Sequence, residues 1–241
     1  MTQPTAFAPD ASWRLQLRVR FTTLWPVKMV SNTLGVAVFF MAYFWVLNHP
    51  QFPVTVMPIT ALDRWVSFEP AAMPIYLSLW LYISLPLALL TNRRELASYG
   101  FATLALSAIG LGIFVAYPTA VPAFGVDWAQ HPSVAYLKAV DINGNACPSL
   151  HVAFAVFSAV WLERLLREMN VRASARALNW VWCIGILYST LATRQHVALD
   201  VLGGTVFGLI VVAVQMRALS RLDRRDVRAR LPGPESVSPA V

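Results

Sequence analysis

Two histidines and one aspartate have the types and spacing of a group-transfer site. His196 and Asp200 are four residues apart, so they share one face of a helix. A carboxylate that accepts a hydrogen bond from one imidazole nitrogen fixes the tautomer and leaves the other nitrogen as a nucleophile. His151, supplied by a different helix, could then protonate a leaving oxygen. Because a carboxylate inside an apolar run is expensive, Asp200 indicates function rather than packing.

The residues around this set have the means to hold a phosphate group. Within Cys147–His151, the proline ends an upstream segment and Ser149 is a suitable cap for the next helix. Backbone N–H groups at a helix N-terminus bind phosphate oxygens. Arg194 adds a fork-shaped cation two residues before His196. Together these residues predict phosphoryl transfer through a phosphohistidine, a reaction that requires no metal or other cofactor.

The composition indicates that membrane helices must position these residues. The chain of 241 residues is 57% hydrophobic and 13% charged, with a mean hydropathy of +0.56. These values exclude intrinsic disorder, coiled coil and most soluble folds. The net charge of +7 does not indicate nucleic-acid binding, because the basic residues are mostly arginines at the edges of apolar runs. Cys147 and Cys183 lack the spacing of a metal or redox site.

Six apolar segments are long enough to cross a bilayer. They are Met29–Leu47, Met73–Leu90, Leu96–Tyr117, Leu150–Leu166, Leu178–Thr193 and Val197–Met216. A seventh apolar stretch, Phe52–Leu62, contains two prolines, which favours a position along the membrane interface over a span. Pro74 and Pro86 are expected to bend the second segment.

The basic residues predict the orientation of these spans. With six spans, 16 of the 19 Lys and Arg residues fall on one side of the membrane. The positive-inside rule makes that side cytoplasmic, together with both termini. Only Arg64, Lys138 and Arg194 remain on the outer side, where both candidate histidines also lie. The predicted organisation is a cytoplasmic N-terminal segment (1–28), a six-helix catalytic domain (29–218) and a basic, disordered cytoplasmic tail (219–241).

Two segments resemble the signature motifs of a known family. Cys147–His151 and Ser189–Asp200 are similar to the second and third motifs of the type 2 phosphatidic acid phosphatase superfamily. The similarity is greatest to the branch related to inositol phosphorylceramide synthases, which has Pro-Ser-Leu-His in the second motif. The resemblance implies an all-α, six-transmembrane-helix bundle with its site at the outer face. It also implies that His196 is the nucleophile, Asp200 its orienting partner and His151 the general acid.

The cations of the family motifs are only partly present. The third motif usually has Ser-Arg before its histidine, but Ser189 is followed by Thr190. The segment that corresponds to the first motif, Tyr117–Pro122, contains no basic residue. A side-chain cation on the phosphate must therefore come from the three outer ones. We expect Arg194 and Lys138 to bind phosphate, together with Ser149.

These features predict an enzyme that acts on lipid phosphates within a membrane. The expected reaction is hydrolysis of a phosphatidate-like lipid or a prenyl diphosphate. An alternative is a phosphotransferase that moves a phosphorylated headgroup, such as phosphoinositol, onto a lipid alcohol. A non-enzymatic transporter or scaffold is a second alternative, although it would not need Asp200 beside a histidine. The compact loops favour a bacterial inner membrane, with the site on the periplasmic side. The sequence leaves the lipid and the oligomeric state open.

Overall fold

The computed structural model describes residues 13–132, 134–135 and 144–230, with side chains described as far as residue 222. The α-helices are α1 (Trp13–Thr22), α2 (Trp25–Asn48), α3 (Ala61–Trp65), α4 (Met73–Leu77), α5 (Leu79–Tyr82), α6 (Ser84–Leu89), α7 (Arg93–Ala116), α8 (Leu150–Glu168), α9 (Ala173–Ala192) and α10 (Ala198–Arg230). Short 3₁₀ helices cover Pro70–Ala72 and Trp128–Gln130, and two-residue strands cover β1 (Thr55–Val56) and β2 (Thr119–Ala120).

Four helices within the described part of the chain are long and apolar enough to cross a membrane. They are Trp25–Asn48, Pro70–Leu89, Arg93–Ala116 and Ala198–Leu222. This confirms the expectation of an all-α integral membrane protein. Helices α8 and α9, of 19 and 20 residues, coincide with the fourth and fifth predicted segments. The last turns of α8 carry several charged residues, and the count of six membrane-crossing helices stays a prediction.

The second predicted span is divided into three short helices. Breaks fall at Ser78 and Ile83, which separate α4, α5 and α6. The Ser78 amide donates to the carbonyl oxygens of both Pro74, at 3.0 Å, and Ile75, at 3.2 Å. The Ser78 hydroxyl also donates to the Ile75 carbonyl, a back-bond that bends helices. Pro86 has no N–H to donate to a carbonyl oxygen of the preceding turn, which explains the second break, at Ile83.

Helix α8 lies at the centre of the bundle. Most of its residues are buried, and Phe157, Trp161 and Leu165 are wholly enclosed. The Trp161 indole N–H donates to Gln215 Oε1 of α10 at 2.8 Å, and Gln215 Nε2 donates to the Ser98 carbonyl of α7 at 2.8 Å. A central helix is shielded from lipid by protein. This is consistent with the burial of Ser158 and Glu163 in α8.

A small parallel sheet joins the loops near the N-terminus of α8. Strand β1 pairs with β2, with Thr55 opposite Thr119. The Thr119 hydroxyl oxygen then accepts the Cys147 amide at 2.8 Å. Strand β1 falls inside the stretch Phe52–Leu62, which the sequence predicts as an interfacial segment. The sheet therefore links that stretch to the chain that enters α8.

The last helix continues beyond the predicted end of the membrane domain. Helix α10 extends through Arg230 and so covers the first part of the segment 219–241. Leu219 is buried in the core of the bundle, which gives the helix a reason to continue past residue 218. Residues 231–241 lie outside the described residues.

Candidate functional site

The first turn of α8 is built as the sequence predicts. Ser149 has an extended backbone, and its hydroxyl oxygen accepts the Val152 amide at 3.2 Å. This is an N-cap, which satisfies one of the amides that a helix start leaves without a partner. The peptide bond between Cys147 and Pro148 is cis. Ser149 is completely buried, and the helix starts one residue later, at Leu150.

A tight turn between α9 and α10 carries His196. The amides of Gln195 and His196 both donate to the Thr190 carbonyl, at 3.0 and 3.1 Å. Arg194 has a φ of 58°, the left-handed conformation that lets the chain reverse here. Asp200 lies in the first turn of α10, and its Oδ2 accepts the Val197 amide at 3.0 Å. The turn is therefore held by backbone hydrogen bonds from α9 and by the Asp200 carboxylate.

His196 and Asp200 face each other across one turn. His196 Nδ1 lies 3.5 Å from Asp200 Oδ2, while the two side chains are 12% and 0% exposed. This distance is longer than a good hydrogen bond. Catalytic hydrogen bonds are often long before substrate binds and shorten in the complex. Because Nδ1 faces the carboxylate, Nε2 is the nitrogen left for chemistry.

Glycines bring α10 against the start of α8. A Cβ atom at Gly204 would collide with the Ser149 carbonyl oxygen, and one at Gly208 would lie 2.5 Å from the Ala153 carbonyl oxygen. The missing side chains of these glycines allow the helices to touch. The Ser149 amide donates to the Asp200 carbonyl oxygen at 3.0 Å. Predicted residues from both motifs thus lie together.

His151 is held by two aromatic side chains. Its ring stacks on Tyr76, with centroids 4.0 Å apart and planes 12° from parallel. Trp80 meets it edge to face, with centroids 6.2 Å apart. The imidazoles of His151 and His196 are close enough for their charges to interact. Sequence reasoning missed Tyr76 and Trp80, because nothing in an apolar span marks the aromatic residue that will face a histidine.

Several buried polar atoms at this place lack a hydrogen-bond partner within the described part of the chain. They are His151 Nε2, Gln195 Nε2, His196 Nδ1 and Asp200 Oδ1. Buried polar groups are nearly always paired in native proteins, so a group of unpaired ones needs an explanation. A ligand with several acceptor oxygens would provide partners for the N–H groups among them, those of His151 and Gln195.

Arg194 uses its guanidinium to bind protein. Nη1 donates to the Asp63 carbonyl at 2.9 Å, and Nη2 donates to the Val66 carbonyl at 2.7 Å. The guanidinium also lies over the Phe124 ring, 4.5 Å from its centroid. Burial lowers the pKa of Arg194, and the negative charge of Asp63 opposes that change. The group remains a cation.

The other two cations that the sequence predicts on the outer side are Arg64 and Lys138. Arg64 is exposed, with Nη2 3.5 Å from the Ile59 carbonyl oxygen. Lys138, predicted to bind phosphate, lies outside the described residues. In the described part of the chain, no group of three or more His, Cys, Asp and Glu side chains could hold a metal ion.

Asp63 is a buried carboxylate that sequence reasoning missed. It is 2% exposed, and its Oδ1 accepts the Ala198 amide at 2.7 Å. Its Oδ2 accepts both the amide and the hydroxyl of Thr60 at 2.7 Å. The pattern Thr60-x-x-Asp63 is a capping-box signal that indicates the start of α3. It does not reveal the contact with Ala198, which lies far along the chain.

Cys147 lies beside the buried carboxylate of α10. A Cβ at Gly203 would lie 3.3 Å from the Cys147 sulfur. Burial, together with the Asp200 charge, raises the pKa of the Cys147 thiol to about 11. The thiol is therefore protonated at neutral pH, and it is not a nucleophile there.

Comparison with known proteins gives one match, and it covers both motifs. The family model of the PAP2 superfamily matches residues 95–224, which is more than half of the chain. No curated protein and no solved structure matches the chain significantly. The matched range includes His151, His196 and Asp200, but not Asp63. Membership indicates phosphatase or phosphotransferase activity. The chain belongs to the PAP2 superfamily.

Proposed function

We propose that the protein is an integral membrane lipid phosphatase that works through a phosphohistidine on His196. Its substrate is a phosphomonoester or diphosphate of a lipid, such as a phosphatidate or a prenyl diphosphate. The observation that carries the proposal is the position of His196 Nδ1, which lies 3.5 Å from the carboxylate of the buried Asp200, whose carbonyl oxygen in turn accepts the Ser149 amide at the start of α8. That arrangement has a nucleophile, a group that orients it and a helix N-terminus for the phosphate.

In the first step, His196 Nε2 attacks the phosphorus atom. A P–N bond forms while the bond from phosphorus to the lipid oxygen breaks. His151, in its protonated form, gives a proton to the departing lipid oxygen. Asp200 accepts a hydrogen bond from His196 Nδ1–H and stabilises the positive charge that develops on the ring.

In the second step, a water molecule attacks the phosphohistidine. His151, now neutral, takes a proton from this water, so the acid of the first step becomes the base of the second. The P–N bond breaks, and inorganic phosphate leaves with the water oxygen. His196 and His151 return to their starting protonation states, and neither step uses a metal or another cofactor.

The phosphate is held at the N-terminus of α8. We assign this role to the amides of the first turn after Ser149 and to the cations Arg194 and Lys138. Arg194 is a cation two residues before His196, and it keeps its charge while Nη1 and Nη2 donate to backbone carbonyls. The charge pattern supports a site on the outer side of the membrane, which in a bacterium is the periplasmic side.

A phosphotransferase is the second candidate, and the observation that favours it is the leucine at position 150 in the sequence Pro-Ser-Leu-His. The Leu150 side chain fills the space beside Gly110 of α7, where a Cβ atom would collide with it. The Pro-Ser-Leu-His sequence is typical of the branch related to inositol phosphorylceramide synthases. In this reaction His196 carries a phosphorylated headgroup, and a lipid alcohol replaces water in the second step.

The two reactions and the non-enzymatic alternative are separated by one assay. Purified protein in detergent is incubated with phosphatidate, with a prenyl diphosphate, or with a headgroup-labelled phospholipid and ceramide or diacylglycerol. A phosphatase releases inorganic phosphate in the presence of EDTA and is inhibited by vanadate, whereas a transferase moves the label to the added alcohol. A transporter or scaffold does neither.

Histidine variants test the mechanism. His196→Ala and His151→Ala should abolish turnover, whereas His49→Ala should leave it unchanged. His49 is the matched control, because it is exposed and lies directly after the end of α2. Its Nδ1 lies 2.8 Å from the Trp45 carbonyl oxygen of the same helix. Full activity in His196→Ala would overturn the proposed mechanism.

A further inference from the structure

We infer that Asp63 is a positioning residue for His196: its carboxylate holds the turn that carries the histidine. The inference rests on the proposed function in one respect, namely that His196 is the nucleophile. Asp63 does not touch His196 itself and acts through Ala198, two residues later in the chain. It lies outside the residues matched by the family model.

The carboxylate of Asp63 joins two elements that are distant in sequence. Oδ1 accepts the Ala198 amide of α10, and Oδ2 accepts the amide and the hydroxyl of Thr60, all at 2.7 Å. Both oxygens therefore accept hydrogen bonds, and the side chain is buried. A carboxylate with these partners is bound more tightly than a neutral acceptor would be.

The Ala198 amide is one of the N–H groups that α10 cannot satisfy itself. It belongs to the first turn of the helix, where the macrodipole favours a negative group. Asp63 supplies that group from α3 rather than from the residue before the helix. The start of α10, and with it the turn that contains His196, is thereby tied to a separate outer element.

Two further contacts join the same elements. Arg194 donates to the carbonyl oxygens of Asp63 and Val66. The Glu69 amide donates to the Ala192 carbonyl at the end of α9, at 2.9 Å. Residues 60–69, which we call the outer brace, thus hold the turn on both sides of His196. Of these contacts, only those of Asp63 depend on a carboxylate.

An in-line attack requires that His196 Nε2 keep its distance and direction to the phosphorus atom. The outer brace meets this requirement because it fixes the turn that carries His196. A displacement of about 1 Å in a positioned group can lower a rate by about 100-fold. Without the Asp63 carboxylate, the first turn of α10 has an unsatisfied buried amide and can shift. Loss of Asp63 should therefore reduce kcat and leave substrate binding nearly intact.

The test compares Asp63→Asn with Asp127→Asn in purified full-length protein. The Asp63→Asn amide keeps the size of the side chain but has only one oxygen, so its NH₂ group must face either the Ala198 amide or the Thr60 donors, and the link between α3 and α10 is broken at one end. Asp127 is a matched control, because it is an exposed outer-loop aspartate whose Oδ1 accepts the Ala129 amide at 3.1 Å. Phosphate release is measured over a range of substrate fractions in detergent micelles. Hydrogen–deuterium exchange is followed in peptides that cover residues 193–199 and α8.

For Asp63→Asn we expect kcat to fall by roughly 10- to 100-fold, with KM changed by less than about threefold. Exchange in residues 193–199 should become at least about tenfold faster, while α8 keeps its protection. Asp127→Asn should match the wild type in both measurements. Unchanged kcat and exchange in Asp63→Asn would overturn the inference, and so would equally faster exchange in α8, which would show a general loss of structure.

The exchange measurement separates this inference from the proposed function. If wild-type protein releases no phosphate, the proposed function fails, but the exchange in residues 193–199 still decides whether Asp63 holds the turn. If wild-type protein is active and Asp63→Asn is equally active with unchanged exchange, only the role of Asp63 is wrong.

Discussion

The Ser149 amide donates a 3.0 Å hydrogen bond to the carbonyl oxygen of Asp200. This bond joins the residue before α8 to the first turn of α10, so the backbone itself sets the distance between α8, which carries His151, and the start of α10, which follows His196. The side chains of both residues have other partners: the Ser149 hydroxyl caps α8, and Asp200 accepts the Val197 amide. The separation of His151 and His196 therefore depends on close helix packing.

Gly204→Ala should damage the site through this packing. The new Cβ would collide with the Ser149 carbonyl oxygen, a backbone atom that cannot move aside cheaply. We expect a destabilisation of about 1–3 kcal/mol and a loss of activity of roughly tenfold or more. The measurements are the thermal unfolding midpoint in detergent and the rate of phosphate release. Gly112→Ala is the control, since a Cβ there meets nothing within 4 Å, and it should not impair either quantity.

Asp200→Asn should lower activity far more than stability. The amide keeps the size of the side chain and can still accept the Val197 amide, but it removes the charge that faces His196. Loss of such an orienting carboxylate typically lowers kcat by roughly 10²- to 10⁴-fold. Steady-state kinetics and thermal unfolding measure the two effects. Wild-type turnover in Asp200→Asn would contradict the role of the charge.

The Cys147 thiol should react slowly with alkylating reagents. With a pKa of about 11, roughly one thiol in 1,000 is ionised at pH 8, and alkylation should be roughly 100-fold slower than for an exposed cysteine. Since the raised pKa favours the neutral thiol, the rate should increase tenfold per pH unit up to about pH 11. In Asp200→Asn the rate at pH 8 should rise at least about threefold.

Mass spectrometry of iodoacetamide-treated protein checks the thiol prediction for each cysteine separately. Cys183 is the internal control, because it is buried in α9 and becomes labelled only if the bundle opens. Rapid alkylation of Cys147 at pH 8 in a folded sample would contradict the expected environment of the thiol.

The predicted orientation places the loops before and after α8 on opposite sides of the membrane. Ala123 in the loop before α8 and Ser174 in the first turn of α9, just after the loop that follows α8, are exposed, and each can be replaced by cysteine. A membrane-impermeant maleimide added to intact spheroplasts should label Ala123→Cys and should label Ser174→Cys only after lysis. The opposite pattern would invert the orientation, and labelling of both positions before lysis would refute the predicted span count.

The candidate site could be predicted where the chemistry is local in sequence. His196 and Asp200 are one helical turn apart, so spacing alone indicates that they meet. The cap at Ser149 follows equally from the proline before it and the apolar segment after it. Each of these inferences concerns the start of one helix, α8 or α10. The structure has a helix start at both places.

The contacts between distant elements could not be predicted in the same way. Asp63 and Ala198 are separated by most of the chain, and no periodicity or composition signal relates them. Arg194 illustrates the same limit, because its charge and position indicate a phosphate ligand, whereas its hydrogen bonds to Asp63 and Val66 arise only from the folded loops. Apolar spans likewise conceal which aromatic residue will stack on His151.

Helix α10 is packed against α8 over several turns, from Gly204 through Gly208 to Gln215. This contact covers about 16 Å of a helix that is 33 residues, or about 50 Å, long. Asp200 lies about 6 Å from Gly204 along the axis, whereas Arg230 lies about 22 Å beyond Gln215 on the other side. Because the segment between them is fixed at several points, movement of the carboxyl end bends the helix beyond Gln215 and leaves Asp200 in place.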